Sequence, residues 1–301
     1  MELLQLKYFQ VVAKHEHMTV AAKELQIAQP SLSKTISRLE EDLGVPLFER
    51  ENRRIRLNAY GKLFLERVEK IFTELHEGKR ELLDLAGTND KNITLAVSIS
   101  RLLPSLIKSF QDEYPDVRFQ QFLESTSSMK AELEQGRIDF CISSLPVEGE
   151  EIVWEPLMTE EICLIVPPAH RFSDRSAIAL HEVKSDAFIS MNTGFGFRDL
   201  TDRICKEAGF QPYVAFEGDE PGVIGELVTQ GLGIAFIPEI ALMHQKDRFP
   251  HKLRITTPDC KRTIGIGWSK RRYLSPTAIQ FREFVKCYFE EVSYRLETER
   301  R

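Results

Sequence analysis

The chain has 301 residues, a length that suggests two domains, or three. Its 42% hydrophobic and 29% charged residues, with 16 Gly and 14 Pro, are ordinary for a globular protein and exclude a disordered, collagen-like or low-complexity chain. With 40 Lys+Arg against 46 Asp+Glu, a formal charge of -6 and a pI near 5.8, the composition taken whole gives no reason to expect a nucleic-acid partner.

The N-terminal stretch is not a signal peptide. Gln5, Lys7 and Gln10 interrupt its apolar residues, and no small-residue cleavage site follows. Leu3, Leu6, Phe9, Val12 and Ala13 recur at helical spacing and predict a first helix. Thr19 offers an N-cap, and Ala21, Ala22 and Leu25 supply the small-residue face of a second helix. A break at Gln26-Ile27-Ala28 follows, and Pro30 suits the first turn of a third helix.

The third helix is the most informative stretch. Leu32, Ile36, Leu39 and Leu43 form one buried stripe. The opposite side carries Pro30, Ser31, Ser33, Lys34, Ser37 and Arg38, while the acids Glu40, Glu41 and Asp42 sit at its C-terminal end. Small polar side chains let a backbone approach another surface, and an acid-free N-terminal half tolerates phosphates. Gly44 ends this helix. Residues 45–58 then read as a hairpin with Leu47, Phe48, Ile55 and Leu57 inward and a polar turn around Glu51 and Asn52. One Arg here would pass for a solvated surface charge. Arg50, Arg53, Arg54 and Arg56 together, beside a helix with a small polar face, point to phosphate contact.

Residues 59–86 predict one long helix. Phe64, Val68, Ile71, Leu75, Gly78, Leu82 and Leu85 alternate spacings of 4 and 3, a heptad seam about 40 Å long. The seam packs on its own chain or pairs with a twin; the charged remainder of the helix favours the twin. Gly78 is its weak point, and Gly87-Thr88-Asn89-Asp90 reads as a hinge.

From Ile93 the pattern is α/β. Strands are predicted at 93–97, 119–123, 138–142, 162–166, 188–191, 214–216, 234–237 and 263–268. Helices are predicted up to Phe110 and over 129–135, 197–208 and 223–229, with a final one from about Pro276. Helices between strands imply a largely parallel sheet. Residues 132–142 and 226–237 both run helix, Gly, strand, which hints at two similar halves with a cleft between them. The pattern is also common in α/β proteins generally. Cys141, Cys163, Cys205, Cys260 and Cys287 are widely spaced without C-x-x-C and read as reduced, mostly buried thiols of a cytoplasmic protein. His15 and His17 lack a second pair at metal-ligand spacing, so no metal and no catalytic residues are expected. No G-x-S-x-G, H-E-x-x-H, Walker A or G-x-G-x-x-G motif points to an enzyme. No segment approaches the roughly 18 apolar residues of a membrane helix.

Ala21-Ala22, then Gln29-Pro30-Ser31-Leu32-Ser33, then Leu39-Glu40 with Leu43-Gly44, then Leu47-Phe48 with Arg50 form an ordered signature. With it, the first 60 residues resemble the winged helix-turn-helix of LysR-type bacterial transcriptional regulators. The resemblance extends over nearly the whole chain. Within the family it is nearest to the group typified by the activator of glutamate synthase, through the stretch 217–239.

The resemblance implies an α+β multidomain protein. A winged helix-turn-helix DNA-binding domain would span 1–58, a linker and dimerisation helix 59–88, and an effector-binding domain 89–301. That last domain would be two-lobed, α/β and periplasmic-binding-protein-like, with lobe I at 91–161 and 266–301 and lobe II at 162–265. The implied partners are double-stranded DNA with inverted-repeat half-sites, a small-molecule co-inducer, a homodimer or homotetramer, and RNA polymerase. No other cofactor and no membrane is implied. The DNA-reading residues would be Gln29, Pro30, Ser31, Ser33, Lys34, Ser37 and Arg38, with Arg50, Arg53 and Arg54 on phosphates. Phe64, Val68, Ile71, Leu75 and Leu82 would serve dimerisation.

The co-inducer would sit between the lobes, against turns at Ser98, Ser100 and Arg101, at Thr126 and Ser127, and at Thr193, Gly194 and Phe195. Hydroxyls and N–H groups at helix starts suit a carboxylate, although Ser and Thr also cap helices regardless of ligand. Arg101 and Arg198 follow two of these turns and either pair with the ligand or lie at the surface. The rival reading is a cytoplasmic solute-binding sensor with no direct DNA role, which would have no use for the first 58 residues.

The charge balance is uneven. Residues 1–58 hold 9 Lys+Arg and 8 Asp+Glu, a net of +1, and the remaining 243 carry -7. The acidic pI therefore belongs to the rest of the chain, and non-specific DNA binding should be weak. Lys34→Ala should lower both affinity and selectivity for the operator in a mobility-shift assay. Arg53→Ala with Arg54→Ala should weaken all sequences alike and flatten the salt dependence.

Overall fold

The computed structural model describes all residues except 52–53, 88–90, 99–101, 219–220, 243–250 and 301; at 50, 51, 54, 127, 221, 299 and 300 it describes the backbone alone. It divides into two compact units, Met1–Leu82 and Leu83–Arg301. Among the described residues no helix is long and apolar enough to cross a membrane.

The first unit begins with three helices, α1 (Leu3–His15), α2 (Met18–Glu24) and α3 (Gln29–Leu43). A hairpin of β1 (Phe48–Glu51) and β2 (Arg54–Leu57) follows, then α4 (Ala59–Leu85). The N-cap of α2 is His17 rather than Thr19, and it makes no side-chain cap bond. The sharp turn one residue earlier, with Glu16 at φ 45, starts the helix before Thr19 is reached. Leu6, Phe9, Val12, Ala21, Ala22, Leu32, Ile36, Leu39, Leu47 and Val68 share one core. The hairpin docks through Phe48, Ile55 and Leu57.

One side chain and one glycine join these pieces. Asn58 Oδ1 accepts the Gly61 N–H at 2.9 Å and its amide donates to the Pro46 carbonyl at 2.8 Å. Gly61 is buried, and a Cβ there would fall 2.1 Å from the Leu47 carbonyl oxygen. Only glycine lets α4 lie this close to the hairpin.

The second unit is α/β, but its sheet is mixed rather than largely parallel. Its elements are β3 (Asn92–Val97), α5 (Leu103–Glu113), β4 (Arg118–Leu123), α6 (Thr126–Glu134), β5 (Phe140–Ser143), β6 (Ile152–Val166), β7 (Ala177–Ala179), β8 (Ala187–Met191), α7 (Gly196–Glu207), β9 (Tyr213–Gly218), α8 (Pro221–Thr229), β10 (Ala235–Pro238), β11 (His251–Thr257), β12 (Lys261–Ser269) and α9 (Pro276–Arg300). Short 3₁₀ turns occupy Leu180–Val183 and Glu239–Ala241. The main sheet runs β4-β3-β5-β12-β6-β11-β7, with β10 also on β6. β3 is parallel to β4 and β5, while β12 is antiparallel to both β5 and β6.

The 15-residue β6 explains the mixture. Ile152–Glu161 pairs with β12, and Ile162–Val166 pairs with β10 and β11. One strand therefore belongs to two lobes. The chain rejoins the first-lobe sheet at Lys261, opposite Glu161, five residues before the expected boundary at 266. The first-lobe core lies between α5, α9 and strands β3, β5 and β12. The second is split between a cluster around α7 and one around α8.

The faint internal echo is a repeat of topology. β3-α5-β4-α6-β5 and β8-α7-β9-α8-β10 each place the first strand beside the other two in parallel, the last contact of the second set being the Phe188–Ile234 bridge. Gly136 (φ 65) and Gly231 (φ 82) end the equivalent helices α6 and α8.

Gly61→Ala should destabilise the first unit by about 1–3 kcal/mol. Faster hydrogen exchange in α1 and α3, with unchanged fluorescence from Trp154 and Trp268 in the second unit, is the expected result.

Candidate functional site

In the first unit, α2 and α3 are joined by a turn with Gln26 at φ 56. α3 starts at Gln29 with no acid in its first turn and Pro30 within that turn. Gln29, Pro30, Ser31, Lys34, Ser37 and Arg38 are exposed together, and Ser33 is half-buried beside them. Helical spacing puts Pro30, Ser31, Lys34, Ser37 and Arg38 on the side opposite Leu32, Ile36 and Leu39, with Gln29 at the exposed helix start. The result is a solvent-facing strip of amide, hydroxyl and cationic groups on a helix held rigidly by its core.

β1 and β2 pair in register from Phe48↔Leu57 to Glu51↔Arg54. Arg50 and Arg54 lie in these strands by their backbone, and Arg53 lies outside the described residues. Arg56 is exposed, opposite Glu49.

Two acids position this hairpin. Glu40 Oε1 accepts the Leu47 N–H at 2.7 Å and the Phe48 N–H at 3.2 Å. Glu16 Oε1 accepts the Leu57 N–H at 3.0 Å. Both look like ordinary surface acids in sequence. Glu40 belongs to the ordered signature, but the role of both acids stays hidden in the sequence, because their partners are backbone groups brought near by the fold.

The linker seam divides. Val68 is fully buried in the first unit's core, and the Phe64 ring packs on Phe9 at 5.3 Å between centroids. These two residues therefore pack on their own chain. Ile71, Leu75 and Leu82 are 38%, 50% and 69% exposed, leaving an apolar stripe on the outer part of α4.

In the second unit the turns predicted to hold a ligand follow β3, β4 and β8. Ser98 Oγ accepts the Ser144 N–H at 3.2 Å. Ser100 and Arg101 lie outside the described residues, as does the Ser127 side chain. Ser125 caps α6 by accepting the Ser128 N–H at 3.2 Å. Thr126 differs, because its Oγ1 is buried and has no hydrogen-bond partner among the described residues. Thr193 and Gly194 are exposed, Gly194 at φ 93, and Phe195 precedes α7 without a side-chain cap bond.

Two of these turns meet across the lobes. Gly196, the first residue of α7, is buried, and a Cβ there would stand 3.0 Å from Thr126 Oγ1. The starts of α6 and α7 are thus neighbours, each offering first-turn N–H groups and a partial positive charge. α6 has no acid in its first turn, and α7 has the exposed Asp199.

Arg198 is not a surface charge. It is 9% exposed and donates to the Met191 carbonyl at 2.9 Å, Glu217 at 2.7 Å and Asp202 at 2.7 Å. Burial opposes its charge, but the two carboxylates outweigh it and raise its pKa above the ordinary arginine value. Its role is to brace the turn between β8 and α7.

The comparisons with known proteins bear on both units. Residues 3–62 match the model of the bacterial regulatory helix-turn-helix protein, lysR family, and residues 87–290 match the LysR substrate binding domain. The chain belongs to the LysR family of transcriptional regulators. It is 38% identical to the HTH-type transcriptional regulator YybE of Bacillus subtilis (strain 168), over 97% of this chain and 100% of that one. It is 36% identical to the transcriptional dual regulator GltC of the same organism, over 97% and 99%. The crystal structure of full-length CbnR complexed with its target DNA is similar at 25% identity and a TM-score of 0.70, covering 95% of this chain and 99% of CbnR.

Four cysteines of this LysR-family regulator are held as neutral thiols. Burial pushes Cys141, Cys205 and Cys260 up to about 12 and Cys163 to about 11, whereas Cys287 is exposed. Among the described residues no group of three His, Cys, Asp or Glu could hold a metal. At pH 8 an alkylating reagent should modify one thiol per folded chain, at Cys287, and all five after denaturation. Mass spectrometry of the two samples checks this.

Proposed function

We propose that this LysR-family regulator reads inverted half-sites in duplex DNA through α3 and the β1–β2 hairpin. The exposed acid-free strip from Gln29 to Arg38 supports this reading. Gln29 suits adenine, Lys34 suits guanine or phosphate, and Arg38, Arg50, Arg53 and Arg54 suit the backbone. Two copies would join along Ile71, Leu75 and Leu82, and a two-fold axis there gives inverted half-sites. In this scheme residues 1–58 bind DNA, 59–88 link and pair, and 89–301 sense, in the cytoplasm and in contact with RNA polymerase.

The sensed molecule is a small organic anion held between the starts of α6 and α7. The observation that carries this is the unpartnered, buried Thr126 hydroxyl facing the first turn of α7. A buried hydroxyl without a partner costs free energy, on the order of 1–3 kcal/mol, that a ligand oxygen would recover. Helix N-termini supply the matching charge. Ser98, Ser100, Arg101, Ser127, Thr193, Gly194 and Phe195 complete the proposed wall.

A panel of mono- and dicarboxylic acids, screened for a raised Tm of the full chain, tests this. An acid that stabilises the wild type should bind Thr126→Val about five- to tenfold more weakly, the equivalent of about 1 kcal/mol. If no acid raises the Tm, or if Thr126→Val binds equally well, the site lies elsewhere.

A further inference from the structure

One ion pair in the second unit is buried almost completely. Glu160 on β6 is 1% exposed and Arg262 on β12 is 6% exposed. They face each other in the strand register. Arg262 Nε donates to Glu160 Oε1 at 2.7 Å, and a second guanidinium nitrogen lies 2.7 Å from the same oxygen. The other oxygen, Oε2, accepts the Ile240 N–H at 2.6 Å.

The position of this pair is its main feature. β6 changes partners immediately after it, between Glu161 and Ile162. β12 begins one residue before Arg262. Ile240 lies in the 3₁₀ turn after β10, with its own side chain in the first-lobe core and Leu242 in the second. Glu160, on one chain passage between the lobes, thus bonds to Arg262 at the start of the other and to the Ile240 turn, which packs on both lobes. The guanidinium also faces the Phe197 ring, 5.3 Å from its centroid, within cation–π range. Phe197 is the second residue of α7, next to Gly196, and packs on both second-lobe clusters.

We propose that Glu160 and Arg262 are the positioning pivot that fixes the angle between the two lobes and ties it to the start of α7. A buried pair of this kind contributes little net stability compared with apolar residues of similar size. What it supplies is a preference for one arrangement, because any rotation of the lobes must break bonds to a charge that water cannot reach. Phe197 carries movement of the α7 start to Arg262, Glu160 carries it to the Ile240 turn, and the lobes respond together. The link from ligand to pivot rests on the reading of the α7 start as a ligand wall; the pivot itself does not.

The test uses full-length chain with no ligand, so its failure is separate from failure of the Thr126→Val titration. Spin labels are placed at Lys108→Cys on α5 and Lys206→Cys on α7, both exposed, in a Cys287→Ser background. Labelled chains are diluted with unlabelled ones, and the interlobe distance is measured by double electron–electron resonance. E160Q/R262M keeps an acceptor for the Ile240 N–H and leaves no unpaired charge. With helical content and DNA affinity unchanged, this variant should broaden the distance distribution at least twofold, and Phe197→Leu should broaden it less. The reverse exchange E160R/R262E should fail to restore the narrow distribution, because it leaves Ile240 without its acceptor. An unchanged width in E160Q/R262M overturns the proposal. If that variant does not fold, an unchanged width in Phe197→Leu does the same.

Discussion

The sensing half of the molecule depends on one strand serving two sheets. β6 spans Ile152–Val166, about 50 Å of extended chain, and hands its hydrogen bonds from β12 to β10 and β11 midway. A backbone ladder cannot stretch without breaking, so the two lobes are held edge to edge in register. That register brings the start of α6, in one lobe, to the start of α7, in the other. The convergence of Thr126 and Gly196 follows from it, as does the buried pair at the point of handover.

In the DNA-reading half, charge is placed by role. The cations Lys34, Arg38 and Arg56 are exposed, while the acids Glu16 and Glu40 accept backbone N–H groups of the hairpin. An acid whose oxygens are taken by backbone donors repels a phosphate less than a free one does. The nearly neutral total of residues 1–58 thus coexists with a face that carries cations outward. The same division appears on α4, where Phe64, Val68 and Phe72 serve the intrachain core while Ile71, Leu75 and Leu82 stay exposed.

Much of this was legible in the sequence because local patterns carry it. The stripe of Leu32, Ile36 and Leu39 reports a buried helix face, and α4 and the final helix lie almost where periodicity predicts them. Strands missed in sequence have different reasons. β7 is three residues long, too short for alternation to show. The first ten residues of β6 contain Glu155, Pro156 and Glu160, which break the apolar pattern of a strand. They are extended because β12 pairs with them, a cause more than a hundred residues away. Arg198 was ambiguous for the same reason, since Glu217 and Asp202 are brought to it only by the β8–β9 pairing and the turn of α7.

By itself the sequence determined the family, the order of DNA-binding, linking and sensing segments, and the polar strip on α3. Each depends on residue type and spacing along one element, and those survive in one dimension. The tertiary structure decided which polar groups are free and which are spent. It paired Arg198 internally, left Thr126 without a partner among the described residues, buried Val68, and placed Glu160 where the chain passes between lobes. Hydrogen bonding and burial are relations between distant residues, so only the folded chain could assign them.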